Sequence, residues 1–509
     1  MQTRTPTQKW LWALGNLIVL AALIALVGAL IRPLTMFIDH AQRALEYPYV
    51  LNYGEGPLLD QALRLGRGDN LYPADLDAPP YTITNYPPVY LLAQIPFIEA
   101  NGVSFTWGRA ISLVSMVVSA VMLALIARAI TRDWSAALVS GGLLLVVPYV
   151  LHWSALARID GLALALSLIG LWCAAARPGK WLSLTLAVIF LALAAYTRQT
   201  YLLAAPFAAF AWLWGVRARI SAFMLAAWLA AVVLVTFAVM LVLTEGGAFF
   251  HMVTSNVNAL DADILRFYAD EMGRAMPILL VAGGVTVLGW LFLMLLRWDY
   301  VEDGSAAGWL AAPYALGALA AALTIAKVGS DVNYLLELSA ALCLCAGVVV
   351  GWLKSVPLIK AAAIAGVIVQ VFLMSNLSET KYYRIIFDRT TPEQRAGVEQ
   401  LMARLTAAAN DGVIPLADEH MGLLTLIGLP ILFQPFEMSQ LALARQWDET
   451  PFVESLRAGA YPLLLLYQPM ANPSLRFERW TPAMLRAIND VFRPDGQFAE
   501  TIVYRYSGE

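Results

Sequence analysis

The residues in this sequence that could do chemistry recur beside long apolar runs. HWSALARIDGLALAL carries Arg158 and Asp160, AAYTRQTYLL carries Arg198 and Gln199, and TIAKVGSDVNYLLELS carries Lys327, Asp331, Asn333, Tyr334 and Glu337. NYGEGPLLDQAL adds Glu55 and Asp60, and TITNYPPVYLLAQIPF adds Asn85 and Tyr86. Fixed cations such as Arg158, Arg198 and Lys327 suit a phosphate leaving group that gains negative charge as its bond breaks. A positioned carboxylate suits an attacking hydroxyl, whose proton must be accepted because its own pKa is far above neutrality. Glu55 and Asp160 both qualify for orienting or deprotonating that hydroxyl, and Asp160 has the further options of holding Arg158 or a metal. The chemistry is group transfer from a phosphate-linked donor, provided that one cavity gathers these residues.

Composition says what must do the gathering. The 509 residues are 60% hydrophobic and only 14% charged, with a mean hydropathy of +0.67, whereas soluble domains carry about 25% charged residues. The apolar residues come in uninterrupted runs, so lipid is their solvent. A helix needs about 20 such residues to cross about 30 Å of hydrocarbon. Runs near 10–31, 107–128, 134–155, 158–176, 181–197, 199–216, 220–244, 275–296, 304–326, 333–353 and 357–377 predict about eleven transmembrane helices. The first run has no cleavage site of small residues and is too long for a signal-peptide core, so it reads as a retained span. Cys173, Cys343 and Cys345 all sit inside apolar runs, which offers neither a disulfide framework nor a thiolate metal site. A net charge of −3 without a basic stretch gives no sign of nucleic acid as a partner.

With the N-terminus in the cytoplasm, the short inner loops hold basic residues (Arg4, Lys9, Arg128, Arg132, Arg177, Lys180, Arg217, Arg219, Arg297, Lys354, Lys360) against the acids Asp133, Asp299, Glu302 and Asp303. That distribution follows the positive-inside rule. It predicts a multi-pass protein of the cell inner or plasma membrane, with 32–106, 245–274 and the tail beyond 378 outside. Residues 1–377 then form an all-α polytopic membrane domain, in which 32–106 is a large first extracytoplasmic loop with juxtamembrane helices. Residues 378–509 alternate helix-like and strand-like stretches and read as a small extracytoplasmic α/β domain. The reactive residues all fall on the outer side. Unpaired charges at a membrane boundary are costly, so both signs together imply a shared wet cavity.

Each residue also has a plainer reading. Arg158 with Asp160 could be a boundary ion pair, and Arg198 an interfacial anchor. Glu55 could be a solvated loop acid, and Lys327 with Asp331 a salt bridge across a helix–helix turn. Tyr86-Pro87-Pro88 is first of all a helix start. A transporter or flippase of a lipid-linked or small solute is the main alternative function. It would place polar groups near the bilayer midplane, but the middles of the runs lack Asp, Glu, Lys and Arg.

The order of parts resembles the GT-C glycosyltransferases, in particular the protein O-mannosyltransferase and lipid A aminoarabinose transferase group. Members of that group open the outer loop with an acidic motif, often Asp-Glu. GEGPLLDQALRLGRGDNLYP is similar, with Glu55 at the glutamate and Gly54 at the usual aspartate. NYPPVYLLAQIPFIEANG resembles the Pro-containing juxtamembrane segment, and Arg109 in WGRAISLVS resembles the arginine that opens the second span. Asp160 in ARIDGLAL and Arg198 in YTRQT resemble a further acid and a basic residue of the group. The resemblance implies an inverting transfer from a polyprenyl-phosphate sugar to a lipid, glycan or protein acceptor. Under it Glu55 or Asp160 is catalytic and Arg158, Arg198 and Lys327 bind the donor phosphate. Asp60, Asn85, Tyr86, Gln199, Asn333, Tyr334 and Glu337 line the cavity. Some members of the group use a divalent metal and others none; no ligand spacing here demands one, so the cofactor stays open.

Overall fold

The structure, a computed structural model, describes residues 6–296, 305–467 and 479–508. Arg4, Arg297, Asp299, Glu302 and Asp303 of the loop-charge pattern lie outside those residues. Among the described residues, seven helices are long and apolar enough to cross a membrane: Trp10–Glu46, Phe105–Thr131, Arg219–Leu243, Pro277–Leu295, Gly308–Ala326, Val332–Ser355 and Pro357–Arg389. The pair Trp134–Leu144 and Pro148–Ser154 bends by 58° at its break and makes an eighth if taken as one span. The other runs fold as shorter apolar helices, Asp160–Ala176, Trp181–Ala195 and Ala204–Gly215. All the expected apolar runs are helical, but by length only seven or eight of them span.

Two departures from regular spans shape the end of the bundle that meets the first loop. The first helix runs Pro6–Glu46 without stopping at Pro33. Its 41 residues extend about 60 Å, twice the hydrocarbon thickness, so residues 32–46 prolong a helix rather than open a loop. The bent pair breaks because proline lacks an N–H and forces its predecessor out of the helical region; Val147, before Pro148, has φ −63° and ψ 129°. Past the bend, His152 and Trp153 reach the cavity at the first-loop end of the bundle.

The tail holds the small sheet: β1 (Leu416–Ala417), β2 (Leu463–Leu466), β3 (Phe492–Phe498) and β4 (Thr501–Tyr506), in the order β1-β2-β4-β3. β1 pairs parallel with β2, and the other pairings are antiparallel. Stacked Phe433 and Phe452, with Trp480, Leu464 and Ile488, fill its apolar side. Leu76, Tyr81 and Ile83 of the first outer loop belong to that same core. Tyr81 also exchanges backbone bonds with the tail, its N–H donating to Leu432 O at 2.8 Å and its carbonyl accepting from Gln434 N at 3.0 Å. The first loop is therefore built into the tail. No linker separates the tail from the bundle: Pro357–Leu377 passes through a π turn, Ser378–Tyr382, into Tyr383–Arg389.

Candidate active site

A cavity of about 860 Å³ opens where one end of the helical bundle meets the first loop and the tail. Arg158, Arg198, Lys327, Asn85, Tyr86, Gln199, Asn333 and Tyr334 all line it. The four sequence stretches that carry them thus converge, as a shared wet cavity requires.

Asp160 opens its helix and is fully buried behind the cavity wall. It ion-pairs with Arg198, and it also accepts from Trp153 Nε1 at 2.6 Å and Asn333 Nδ2 at 3.2 Å. Arg198 in turn lies over the Tyr334 ring, its guanidinium carbon 4.4 Å from the ring centre. Asp160 therefore joins four segments and fixes where the Arg198 guanidinium points. Three donors take three of its roughly four lone-pair sites, so an acid buried and occupied in this way positions the cation behind the cavity wall.

Arg158 has no anionic partner among the described residues. It rests 5.3 Å above the Trp153 ring and donates to Asn52 Oδ1 at 3.3 Å, with its buried Nε unpartnered. Its place depends on Gly54, where a Cβ would fall 1.2 Å from Arg158 Nη1. The missing aspartate in the acidic motif has a physical reason: the guanidinium occupies the space that a side chain at 54 would take. Arg158 is thus neither paired with Asp160 nor held by it.

Besides Asp160, three expected cavity or catalytic residues sit elsewhere: Glu55, Asp60 and Glu337. Glu55 is completely buried, and its carboxylate takes Arg109 Nε at 2.8 Å, Arg109 Nη2 at 2.7 Å, Leu51 N at 2.8 Å and Ala157 N at 2.8 Å. Burial pushes Glu55 up, but Arg109 and the two backbone donors outweigh it and hold the group below the usual carboxylate range. Arg109 reaches on to the carbonyls of Ala44, Tyr47 and Tyr49. Glu55 is a clamp that fastens the first loop to two helices and turns away from the cavity. Asp60 lies on the hidden face of its helix, 3.9 Å from Arg64, and burial raises it to about 6. Glu337 is buried inside a span, with Oε1 unpartnered. The expected Lys327–Asp331 bridge is absent: Lys327 Nζ donates to Asn256 Oδ1 at 2.9 Å, while Asp331 caps Val332 N at 2.7 Å.

The tail supplies residues that no motif announced. Glu419, Glu437, Tyr467 and Arg479, with Arg389 at the end of the last span, also face the cavity. Arg479 contacts Glu419 at 2.5 Å and lies 4.4 Å over the Tyr53 ring. Arg389 donates to Leu51 O and to Tyr467 Oη. In sequence these are scattered charges of a water-covered tail, and only its docking on the first loop makes them part of the site. Among the described residues no group of three or more His, Cys, Asp or Glu side chains could hold a metal ion, so no step is routed through one.

No family model matches the sequence, and no curated protein matches it. Solved structures do. ArnT from Cupriavidus metallidurans, bound to undecaprenyl phosphate, superimposes with a TM-score of 0.58 at 13% identity, covering 97% of both chains. Apo ArnT gives 0.57 at 13% identity and 99% coverage of both. The archaeal oligosaccharyltransferase AglB from Archaeoglobus fulgidus, in complex with an inhibitory peptide and a dolichol-phosphate, gives 0.52 at 11% identity, covering 94% of this chain and 74% of that one. The apolar helices and this likeness make the chain a multi-pass membrane protein with the GT-C fold that ArnT and AglB share.

Proposed function

We propose that this protein is an integral membrane glycosyltransferase that moves a sugar from a polyprenyl-phosphate donor to an extracytoplasmic lipid, glycan or protein, with inversion at the anomeric carbon. One observation carries the reading: Arg158, with no acid within salt-bridge distance among the described residues, and Arg198, aimed by Asp160, meet in a single cavity at one end of the bundle. An uncommitted guanidinium in a partly desolvated cavity is a ready partner for a phosphate that gains charge as the sugar leaves. The whole-length likeness to a structure that contains undecaprenyl phosphate supports the same donor class.

In this reading Arg158, Arg198 and Lys327 hold the donor phosphate, and Asn85 and Tyr86 line the cavity mouth. Glu55 takes no part in proton transfer, because its oxygens are filled by four donors. The distribution of Lys and Arg supports a cytoplasmic N-terminus and an outer tail in the inner or plasma membrane.

The test is purified protein in liposomes with a panel of labelled polyprenyl-phosphate sugars and envelope extracts as acceptors. Labelled acceptor and free polyprenyl phosphate should appear together. Arg198→Ala and Arg158→Ala should each weaken polyprenyl-phosphate binding by about tenfold or more, the loss of one charge-assisted contact. Absence of both binding and transfer across the panel overturns the reading.

A further inference from the structure

If a sugar is transferred here, some group must accept the proton of the attacking hydroxyl, and neither acid singled out by the sequence is free to do so. The carboxylates that line the cavity are Asp261, Asp263, Asp331, Glu419 and Glu437. Asp261 caps Asp263 N at 2.8 Å, and Asp263 pairs with Arg266 at 3.0 Å on an exposed helix. Asp331 caps Val332 N and bonds Tyr268, four residues from Lys327 on the side of the cavity assigned to the donor phosphate, and Glu419 sits between Arg479 and Arg389, at 2.5 and 3.8 Å. Glu437 differs. Of the two acids that the tail brings into the cavity, it is the one with no cation within salt-bridge distance among the described residues, and its bonded side-chain partner is the neutral Tyr53 hydroxyl, which donates to Oε2 at 2.6 Å.

We propose that Glu437, reaching into the cavity from the tail, is the proton acceptor of the transfer reaction, an inference that rests on the transferase reading above. The acceptor hydroxyl forms its bond to the anomeric carbon while the carbon–oxygen bond to the phosphate breaks. The hydroxyl proton goes to the Glu437 carboxylate, and the bonding pair leaves with the polyprenyl phosphate. Placement suits this division of labour. Arg198 and Lys327 approach from the helical bundle, whereas Glu437 stands in the first turn of Pro435–Leu443 in the tail. An inverting displacement needs nucleophile and leaving group on opposite sides of the carbon, and walls built from separate parts of the chain can provide that.

Tyr53 is the positioning residue. Its hydroxyl accepts from Phe436 N at 3.2 Å while donating to Glu437, so the loop and the tail together fix the carboxylate. The charged and titratable groups that act on Glu437 are Tyr53 and Tyr86 of the first loop, Arg158 of the bundle and Arg479 of the tail. Burial outweighs the hydrogen bonds and cations and raises Glu437 above the ordinary glutamate range, closer to neutrality, where a base serves best.

The decisive variant is Glu437→Gln in the full-length protein, because its amide oxygen can still accept from Tyr53. General-base catalysis contributes about 10² to 10⁴-fold, so kcat should fall by that factor while polyprenyl-phosphate binding stays at the wild-type value. Wild-type kcat should rise with pH through an acid limb that the Gln variant lacks. Glu437→Asp should recover part of kcat and restore the limb, and Tyr53→Phe should move the limb to higher pH. Wild-type kcat in Glu437→Gln, or an unchanged acid limb, overturns the proposal but leaves the transferase reading standing. Equal loss of donor binding in the Gln and Asp variants also overturns it, by making Glu437 a wall of the cavity. A wild-type protein that binds no polyprenyl phosphate and transfers no sugar removes the reading itself.

Discussion

At the scale of single residues, position in the sequence predicted convergence better than role. Arg158, Arg198, Lys327, Asn333 and Tyr334 were legible because a charge at a membrane boundary has few places to go, and a common cavity is the least costly. Glu55 was legible as special yet read as a base facing the cavity, because its partner Arg109 is 54 residues away and nothing local indicates the pairing. Removing one member of a buried pair strands the other charge at a cost of about 3–5 kcal/mol. Glu55→Gln should therefore melt markedly earlier in detergent and accumulate poorly, with Arg109 left uncompensated. A Gln variant that melts like the wild type but turns over at least a hundredfold more slowly would return Glu55 to the chemistry as base. Gly54 gives the complementary case. Its φ of −77° suits any residue, so Gly54→Ala strains nothing in the backbone and acts only by displacing the Arg158 guanidinium. Gly54→Ala and Arg158→Ala should weaken polyprenyl-phosphate binding alike, and the double variant should be no weaker than either single one.

At the scale of elements, apolar periodicity and run length identified the helices, and proline identified the bend, because each depends on neighbours in sequence. The packing of the juxtamembrane helix Glu55–Gly66 was not legible. Its Gly56 meets Gly422 of the tail so closely that a Cβ on Gly56 would fall 2.7 Å from Gly422 Cα. One face of this helix is covered by the tail, and Asp60 is buried with it, accepting from Ile431 N. The covering changes how stability responds to pH. Folding raises Asp60 from 3.8 to about 6, so between those values the folded protein binds the proton that the unfolded chain has released. Stability then falls as pH rises through that window and stays lower above it. Asp60→Asn escapes the loss. Its melting temperature relative to wild type should climb between about pH 4 and 6 and level off above, with a gain of at most about 3 kcal/mol, set against the lost contact to Arg64. A constant difference across that range would mean that Asp60 is paired as well in its buried state as in water.

At the scale of the whole molecule, membrane helices and tail form one functional unit. The tail's charges looked like an ordinary solvated surface because a sequence does not show which loop folds into which core. Tyr81 and Ile83 enter the tail's core, while Arg479 and Glu437 enter the cavity, so each part completes the other. Arg389 is where this coupling concentrates: at the end of the last span it bonds the Leu51 carbonyl of the first loop and the Tyr467 hydroxyl of the tail, and lies 3.8 Å from Glu419. Losing these bonds at a part-buried site costs about 1–3 kcal/mol of docking free energy. Because Arg389, Tyr467 and Glu419 lie outside the bundle's apolar core, the loss should fall on the seam between the parts and spare the helices. Arg389→Ala should thus keep its helical circular dichroism while trypsin releases the tail sooner, and transfer should slow in proportion because Glu437 is no longer held in the cavity. Equal protease resistance with slowed transfer would instead assign Arg389 to substrate contact, and unchanged transfer with early cleavage would show that the cavity works without a docked tail.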